Sequence, residues 1–306
     1  QEYNMFAVPP INYEQPVFRP PSEWKSLLIQ VTIGCSNNKC TYCDMYRSKS
    51  YRERSFEDIK RDLDKAYLFY KDLNKLPDKI FLCDGDALGA PMPLLLSVLD
   101  YINELFPNTR RIGVYATAEN ILKKTRQQLI QLSEKKLTIA YLGLESGDDK
   151  VLHMIVKGNN ASDMEEASIK IKECGFKLST IAMLGVGGKK YSSQHVKNTA
   201  KLLGSTSPQF FSFLTTFAVP GTPYHTMVER NLIEPLTSKE LLQEMYDIIK
   251  LAKLKTNSII FRANHVSNLY PIAGVLPKDR VKILNELKQW ISETPEDVYP
   301  KRPINM

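Results

Sequence analysis

Leu27-Leu-Ile-Gln-Val-Thr-Ile33 is a nearly unbroken apolar run stopped by Gly34, the pattern of a strand buried on both faces. Ser55 then offers a helix N-cap with Asp58 three residues on, and Ile59, Leu63, Tyr67 and Tyr70 recur at helical spacing. One strand is thus followed by one helix, and the alternation continues outward along the chain. Extended runs rich in Ile, Val, Leu, Phe and Tyr occupy Lys79–Cys83, Arg111–Tyr115, Leu137–Leu144, Lys177–Leu184 and Gln209–Phe217. Amphipathic stretches at Met92–Leu105, Ala118–Leu132, Ser162–Cys174 and Ser192–Leu203 lie between them. A seventh extended run, Ser258–Arg262, follows a helix opened by the box Thr237-x-x-Glu240. The last helix, Lys278–Ile291, is read with Val281, Leu284, Leu287 and Ile291 on one face.

Repeated β-α units predict parallel strands joined by right-handed crossovers. Six units are too few for a complete eight-fold barrel. The expected class is α/β, a partial (β/α)6 TIM-like barrel over residues 26–306 with a C-terminal strand and helix, and a doubly wound sheet is the alternative. Residues 1–25, proline-rich from Val8 to Pro21, are expected to form an extended lead-in rather than a domain.

The 306 residues are 43% hydrophobic and 25% charged, a globular composition that excludes disorder and collagen-like repetition. The longest apolar stretches, such as Pro93–Val98 and Ile181–Val186, fall far short of the roughly 18 residues of a membrane span. Gln1–Pro10 has neither a basic start nor an apolar run, so no secretory signal is expected and the expected compartment is the cytoplasm. The formal charge of +7 suits an anionic substrate, but the basic residues are dispersed in pairs such as Lys123-Lys124 and Lys189-Lys190. Such pairs mark solvated helix ends and loops more than a phosphate-tracking stripe, so nucleic acid is not the expected partner.

Cysteine carries more information. Of five cysteines, three fall in Cys35-Ser-Asn-Asn-Lys-Cys40-Thr-Tyr-Cys43. A disulfide framework would spread its cysteines, whereas an odd clustered set points to a metal. The cluster begins just after the first strand, where an α/β fold places its chemistry. Three thiolates on one loop suit three irons of a 4Fe-4S cube whose fourth iron is open to a ligand. Zinc is the structural alternative, but zinc sites supply a second cysteine pair or histidines at matching spacing, and the nearest histidine here is His153.

The segment Val31-Thr-Ile-Gly-Cys35 through Cys43-Asp-Met-Tyr46, with Tyr42 before the third cysteine, resembles the cluster loop of radical S-adenosylmethionine (SAM) enzymes. The usual spacing there is Cys-x3-Cys-x2-Cys, and this chain has one residue more in the first gap. Further motifs extend the resemblance, in particular to the oxygen-independent coproporphyrinogen III oxidase group. Cys83-Asp-Gly85-Asp86-Ala87 stands where the superfamily carries a Gly-Gly-Glu-like segment meeting the methionine part of SAM. Leu142-Gly-Leu-Glu145-Ser-Gly147 resembles the stretch that contacts the SAM ribose, and Lys157 falls where that group has an arginine near the SAM carboxylate. Met183-Leu-Gly185-Val-Gly187-Gly188 resembles the turn lining the adenine, and Ala218-Val-Pro220-Gly221-Thr222-Pro223 is again like that group. Taken singly these are also ordinary turn glycines and a strand-end carboxylate. Their placement at the ends of successive strands is what a cofactor spread across a barrel mouth needs. The group's C-terminal domain has no counterpart in the pattern here, so its substrate is not carried over.

The resemblance implies an enzyme with cluster ligands Cys35, Cys40 and Cys43, and with SAM contacts from Tyr42, Gly85, Asp86, Ala87, Glu145, Lys157, Gly185 and Ala218. It implies reductive cleavage of SAM to methionine and a 5'-deoxyadenosyl radical, a small-molecule substrate, and a one-electron donor such as flavodoxin or ferredoxin. Only Cys83 and Cys174 lie beyond the triad, too few for a second all-cysteine cluster, and no cobalamin-binding domain is expected. Cys174 reads as a buried small hydrophobe; Cys83 reads as core, with a hydrogen-donor thiol as its functional alternative. For the substrate, Arg262 and His265 in Phe261-Arg262-Ala-Asn264-His265-Val-Ser267-Asn268 are candidate anion clamp and acid-base group. Tyr115, at a strand end, is a third candidate, either stacking on adenine or filling the core. His153, His195 and His225 read as ordinary helix or loop residues. Two other functions stay open: a haem or cluster carrier on the same fold, and an RNA-modifying enzyme.

Overall fold

A computed structural model describes residues 8–256 and 258–303. Gln1–Ala7, part of the expected lead-in, lies outside the described residues. The apolar run at Leu27 opens the sheet as β1 (Leu27–Gln30), but it breaks at Val31. The Val31 carbonyl accepts from Arg54 N–H at 3.0 Å, and β2 (Thr32–Ile33) leaves the sheet to pair antiparallel with β3 (Arg52–Glu53). The single strand expected over Leu27–Ile33 is therefore two, because the chain turns out of the sheet to start the cysteine loop.

The remaining strands are β4 (Lys79–Cys83), β5 (Arg111–Ala116), β6 (Leu137–Glu145), β7 (Lys177–Leu184), β8 (Phe210–Thr215), β9 (Ile259–Arg262) and β10 (Ala273–Leu276). They form one eight-stranded sheet in the order β1-β4-β5-β6-β7-β8-β9-β10. Each pairing through β9 is parallel and only β10 runs antiparallel to its neighbour. Every strand is added on the same side of the one before. A doubly wound sheet would reverse direction at a switch point. Since β1 and β10 do not pair, the sheet curves as an open, partial barrel of six β-α units with a C-terminal strand pair.

The crossover helices are α1 (Phe56–Asp72), α2 (Met92–Leu105), α3 (Ala118–Lys123), α4 (Arg126–Glu134), α6 (Ala161–Glu173), α7 (Gly188–Thr206) and α9 (Ser238–Leu251). Two short helices, α5 (Asp149–Met154) and α8 (Pro223–Glu229), sit at the strand ends, and α10 (Arg280–Glu293) closes the chain. Ser55 caps α1 as read, its side chain accepting from Asp58 N–H. The helix expected over Ala118–Leu132 is two, because Thr125 and Gln128 form a capping box that restarts the helix after Lys124. The face assigned to the last helix is also corrected: Ile283 and Leu287 are its buried residues, while Val281 is 72% exposed.

Strand alternation separates two cores. Ile80, Leu82, Ile112, Val114, Ala140 and Leu142 face the helices. Leu28, Phe81, Cys83, Ile139 and Tyr141 face the barrel interior, with Tyr115 packed on them. The lead-in closes one end. Tyr13 donates to Leu28 O at 2.8 Å, Arg19 braces Trp24 O at 3.1 Å, and the buried Glu23 takes Ser26, Tyr141 and Arg111 as partners. Among the described residues no helix is long and apolar enough to cross a membrane.

Candidate functional site

The cysteine loop leaves β2 at the carboxyl end of the parallel sheet and is pinned from three sides. Its root is held by Asp84, which accepts from Gly34 N–H at 2.7 Å and Gln30 Nε2 at 3.0 Å and forms a buried pair with Lys49 at 2.8 Å. Its middle is held by Arg47, which donates to Cys40 O at 2.6 Å and Cys43 O at 2.7 Å. Its far side is held by Thr41, whose N–H meets Ile155 O at 2.9 Å and whose carbonyl takes Tyr224 N–H at 3.1 Å. Asp84, Lys49, Arg47 and Asn37 were not singled out in the sequence. Only their spacing around the cysteines could have flagged them.

Cys35, Cys40 and Cys43 are unbridged and half-buried. Burial pushes the Cys40 thiol up and the Cys43 thiol up to about 12, so both keep their protons until a cation replaces them. Asn37 Nδ2 lies 3.1 Å from Cys40 Sγ, a donor suited to a ligating sulfur. Gly85 lies against Cys35: a Cβ there would come within 2.5 Å of Cys35 Cβ and 3.0 Å of its sulfur. Glycine at that position is thus a requirement of close approach. Among the described residues no three His, Cys, Asp or Glu side chains form a group able to hold a single metal ion, the arrangement zinc would need.

Asp86 is fully buried and engaged. It accepts from Thr117 N–H at 3.2 Å and Thr117 Oγ1 at 3.0 Å, and from Ser36 and Asn120. Burial raises its pKa against the lowering by those donors. It ties the cysteine loop to the end of β5 and has no free face for a ligand. The Ala87 side chain packs into the helix-layer core.

Glu145 ends β6 with φ of +60°, at an irregularity in the β6-β7 pairing between Gly143 and Glu145. The left-handed turn folds its carboxylate back over Gly143, where a Cβ would sit 2.1 Å from Oε1. Lys157 Nζ meets the same oxygen at 2.9 Å. Burial opposes the Lys157 charge, but Glu145 and then Cys40 outweigh it and hold the ammonium well above the ordinary lysine range. Tyr42 packs among Val151, Leu152 and Ile155, and burial followed by the neighbouring Glu145 pushes its hydroxyl up. Tyr42, Glu145 and Lys157, far apart in sequence, are thereby one group beside Cys40.

Gly185 follows β7 with φ of +75°, and Tyr224 Oη reaches its carbonyl at 3.2 Å. Because Tyr224 N–H also holds Thr41 O, the loop after β7 is joined to the cysteine loop through one residue of α8. Ala218, half-buried, packs on the same apolar cluster as Tyr42.

The substrate candidates separate. Tyr115 stands edge-on to Phe81 at 5.0 Å and to Tyr141 at 6.1 Å inside the barrel. Arg262 ends β9 opposite Ser212, on the face opposite to the helix-facing Ile259 and Phe261, and is exposed. His265 instead folds onto its own loop: Nδ1 lies 2.9 Å from Ser267 Oγ and accepts Ser267 N–H at 3.1 Å. Asn268 is tied to Phe213 O at 2.8 Å and to Thr215 Oγ1 at 3.0 Å. Those polar groups therefore build the loop. Cys83 is fully buried in the interior core and burial pushes its thiol up, while Cys174 is 2% exposed in the helix layer.

Residues 29–203 match the family model of the radical SAM superfamily. The chain belongs to the radical SAM superfamily. Its cofactors are accordingly a 4Fe-4S cluster and SAM, and the pinned thiols with Gly85 pressed on Cys35 fit them. The radical SAM chain is 20% identical over 223 residues to the heme chaperone HemW of Bacillus subtilis, covering 72% of this chain and 58% of HemW. Coproporphyrinogen III oxidase (HemN) of Escherichia coli shares its fold with a TM-score of 0.56 at 13% identity, over 74% of this chain and 52% of that one. TsrM, a radical SAM methyltransferase of Kitasatospora setae, does so with a TM-score of 0.53 at 12% identity, over 90% and 55%. The chain spans little more than half the length of each.

Proposed function

We propose that this chain is an enzyme that holds the cluster through Cys35, Cys40 and Cys43 and acts on a small anionic substrate in the barrel interior. The observation that carries the reading is the convergence of Tyr42, Glu145 and Lys157 on Cys40, with Gly85 pressed against Cys35. When bound, the reduced cluster supplies one electron to SAM, breaking a carbon–sulfur bond to give methionine and a 5'-deoxyadenosyl radical.

The protein's own residues bind, orient and shield. Gly85 carries no side chain, so Cys35 packs directly against its backbone at the cluster loop. Lys157 presents an ammonium for its carboxylate, and Glu145, already turned into the mouth, offers an acceptor for the ribose hydroxyls. The loops at Gly185 and Ala218 supply walls for the adenine. Phe81, Tyr115, Ile139 and Tyr141 give the interior an apolar surface that keeps water and stray hydrogen donors from a reactive centre. Arg262, exposed at the end of β9 on the face away from Ile259 and Phe261, carries a guanidinium suited to a carboxylate or phosphate.

Anaerobic reconstitution with iron and sulfide, reduction and assay for 5'-deoxyadenosine tests this. Cleavage of SAM is expected in the wild type and not in Cys40→Ala. Cleavage by that variant removes Cys40 from the ligand set. The likeness to a heme chaperone gives a second reading, haem carriage. It predicts stoichiometric haem binding by a chain that leaves SAM uncleaved in the same assay.

A further inference from the structure

We propose that Glu244, with His195 beside it, is a positioning residue that ties together the loops after β6 and β7 and so sets how tightly the chain takes SAM. The proposal rests on the reading above in which those loops, at Glu145 and Gly185, contact the cofactor.

Glu244 lies on α9, 2% exposed, far in sequence from every motif residue. Its Oε2 accepts Gly185 N–H at 2.7 Å and its Oε1 accepts from Ser192 Oγ at 2.6 Å. Gly185 is pressed on the same helix, for a Cβ there would lie 2.7 Å from Leu241 Cδ2. His195, on α7, is fully buried and faces the other loop: its Nδ1 is 2.8 Å from the oxygen of Ser146, the residue after Glu145. Ser146 Oγ also accepts Asp148 N–H at 3.0 Å, and Thr199 Oγ1 lies 3.3 Å from the same Nδ1, which leaves Nε2 as the other ring nitrogen. That Nε2 is buried without a hydrogen-bond partner, and Glu244 Oε2 stands 4.0 Å from it.

One carboxylate oxygen therefore holds the Gly185 amide directly and faces, across a gap, the imidazole that holds Ser146. A buried ring nitrogen left unpaired is unfavourable, and an approach of about 1 Å would bring it within hydrogen-bond distance of Oε2. The gap closes when the two loops draw together on a ligand lying across them, so binding and closure favour one another.

The charge state of the node follows from its surroundings. Burial lowers the His195 pKa to about 4, against Asp148, so the contact with Glu244 is not an ion pair at neutral pH. Burial raises Glu244 to about 7, opposed by Ser192 and Gly185 and assisted by Glu240, which itself lies 3.7 Å from Lys189. Tyr224 of α8 is the other titratable group facing it. Burial makes the ionised carboxylate costly in this node despite its two donors, so the loops are held more firmly below about pH 7 than above it.

The test compares cluster-loaded wild type with Glu244→Gln, which keeps an oxygen for Gly185 and a donor for Ser192 but does not ionise. Wild type is expected to bind SAM roughly fivefold tighter at pH 6 than at pH 8, about 1 kcal/mol, and Glu244→Gln equally at both. Parallel profiles overturn the proposal. Hydrogen exchange at the Gly185 amide in the cofactor-free chain decides the node separately: Glu244→Leu should expose it, and unchanged protection overturns the tie. Faster exchange in a chain that holds iron but takes no SAM at either pH overturns the reading of the cofactor site and the link to affinity.

Discussion

Glu23 at the closed end of the barrel and Glu145 at the open end are both buried carboxylates, and they are held differently. At the closed end Glu23 is saturated: Ser26, Tyr141 and Arg111 all donate to it, and Ser22 meets the Tyr141 hydroxyl at 2.9 Å. At the open end Glu145 is held by Lys157 on one oxygen, with Tyr42 beside it, on a strained left-handed turn over a glycine. A carboxylate with every acceptor position filled locks structure. One with capacity left over, held by local strain, is disposed to receive a ligand. On the proposed reading the closed end carries stability and Glu145 at the open end contributes to binding.

The largest effect that could break this contrast is at the open end. Cys40→Ala should abolish the visible absorbance of the reconstituted cluster while the cofactor-free chain melts within a few degrees of wild type. A collapse in melting temperature would show that the cysteine loop is structural after all. Next, Glu23→Ala should lower unfolding free energy by about 3 kcal/mol, since it leaves Arg111 partly buried and unpaired. Denaturant titration measures it, and SAM affinity of the folded fraction should stay put.

The buried imidazole behind the open end gives a pH effect of similar size. The folded chain holds the His195 proton less well than the unfolded chain. That contribution is fully present above pH 6.5 and is lost as pH falls through 6.5 toward 4, on the order of 3 kcal/mol when complete. Denaturation of wild type against His195→Gln across this range should show a flatter acid limb in the variant; equal limbs would place the titration elsewhere. The smallest effect is Glu145→Ala, expected to weaken SAM binding roughly tenfold, about 1.4 kcal/mol, with iron content unchanged. Unaltered affinity would remove the contrast at its sharper end.

The barrel was legible because its signal is periodic. Strand and helix patterns alternate from Leu27 to Arg262, and the order of strands in the sheet follows the order in the chain. The breaks at Val31 and Lys124 were less visible, since the first depends on a partner strand at Arg52–Glu53 and the second on a cap inside a continuous amphipathic pattern. The cysteines and Glu145 stood out because motif spacing carries them. Lys49, Asp84 and Glu244 did not, because each works through a contact across many residues of chain, and Arg47, bonded to the carbonyls of Cys40 and Cys43, was missed although it lies within the cysteine loop. His195 read as an ordinary helix residue and is instead fully buried, its role set by Ser146 and Glu244 on other elements. His265 is the opposite case: a dense polar run after a strand suggested chemistry, and there His265 bonds Ser267 of its own loop while Asn268 bonds Phe213 O of β8.

The most direct test of the central claim is electron paramagnetic resonance of the anaerobically reduced, reconstituted protein with and without SAM. Three thiol ligands and one open iron predict a 4Fe-4S signal that changes when SAM is added. A signal indifferent to SAM, or a protein that takes up zinc in place of the cube, would contradict it.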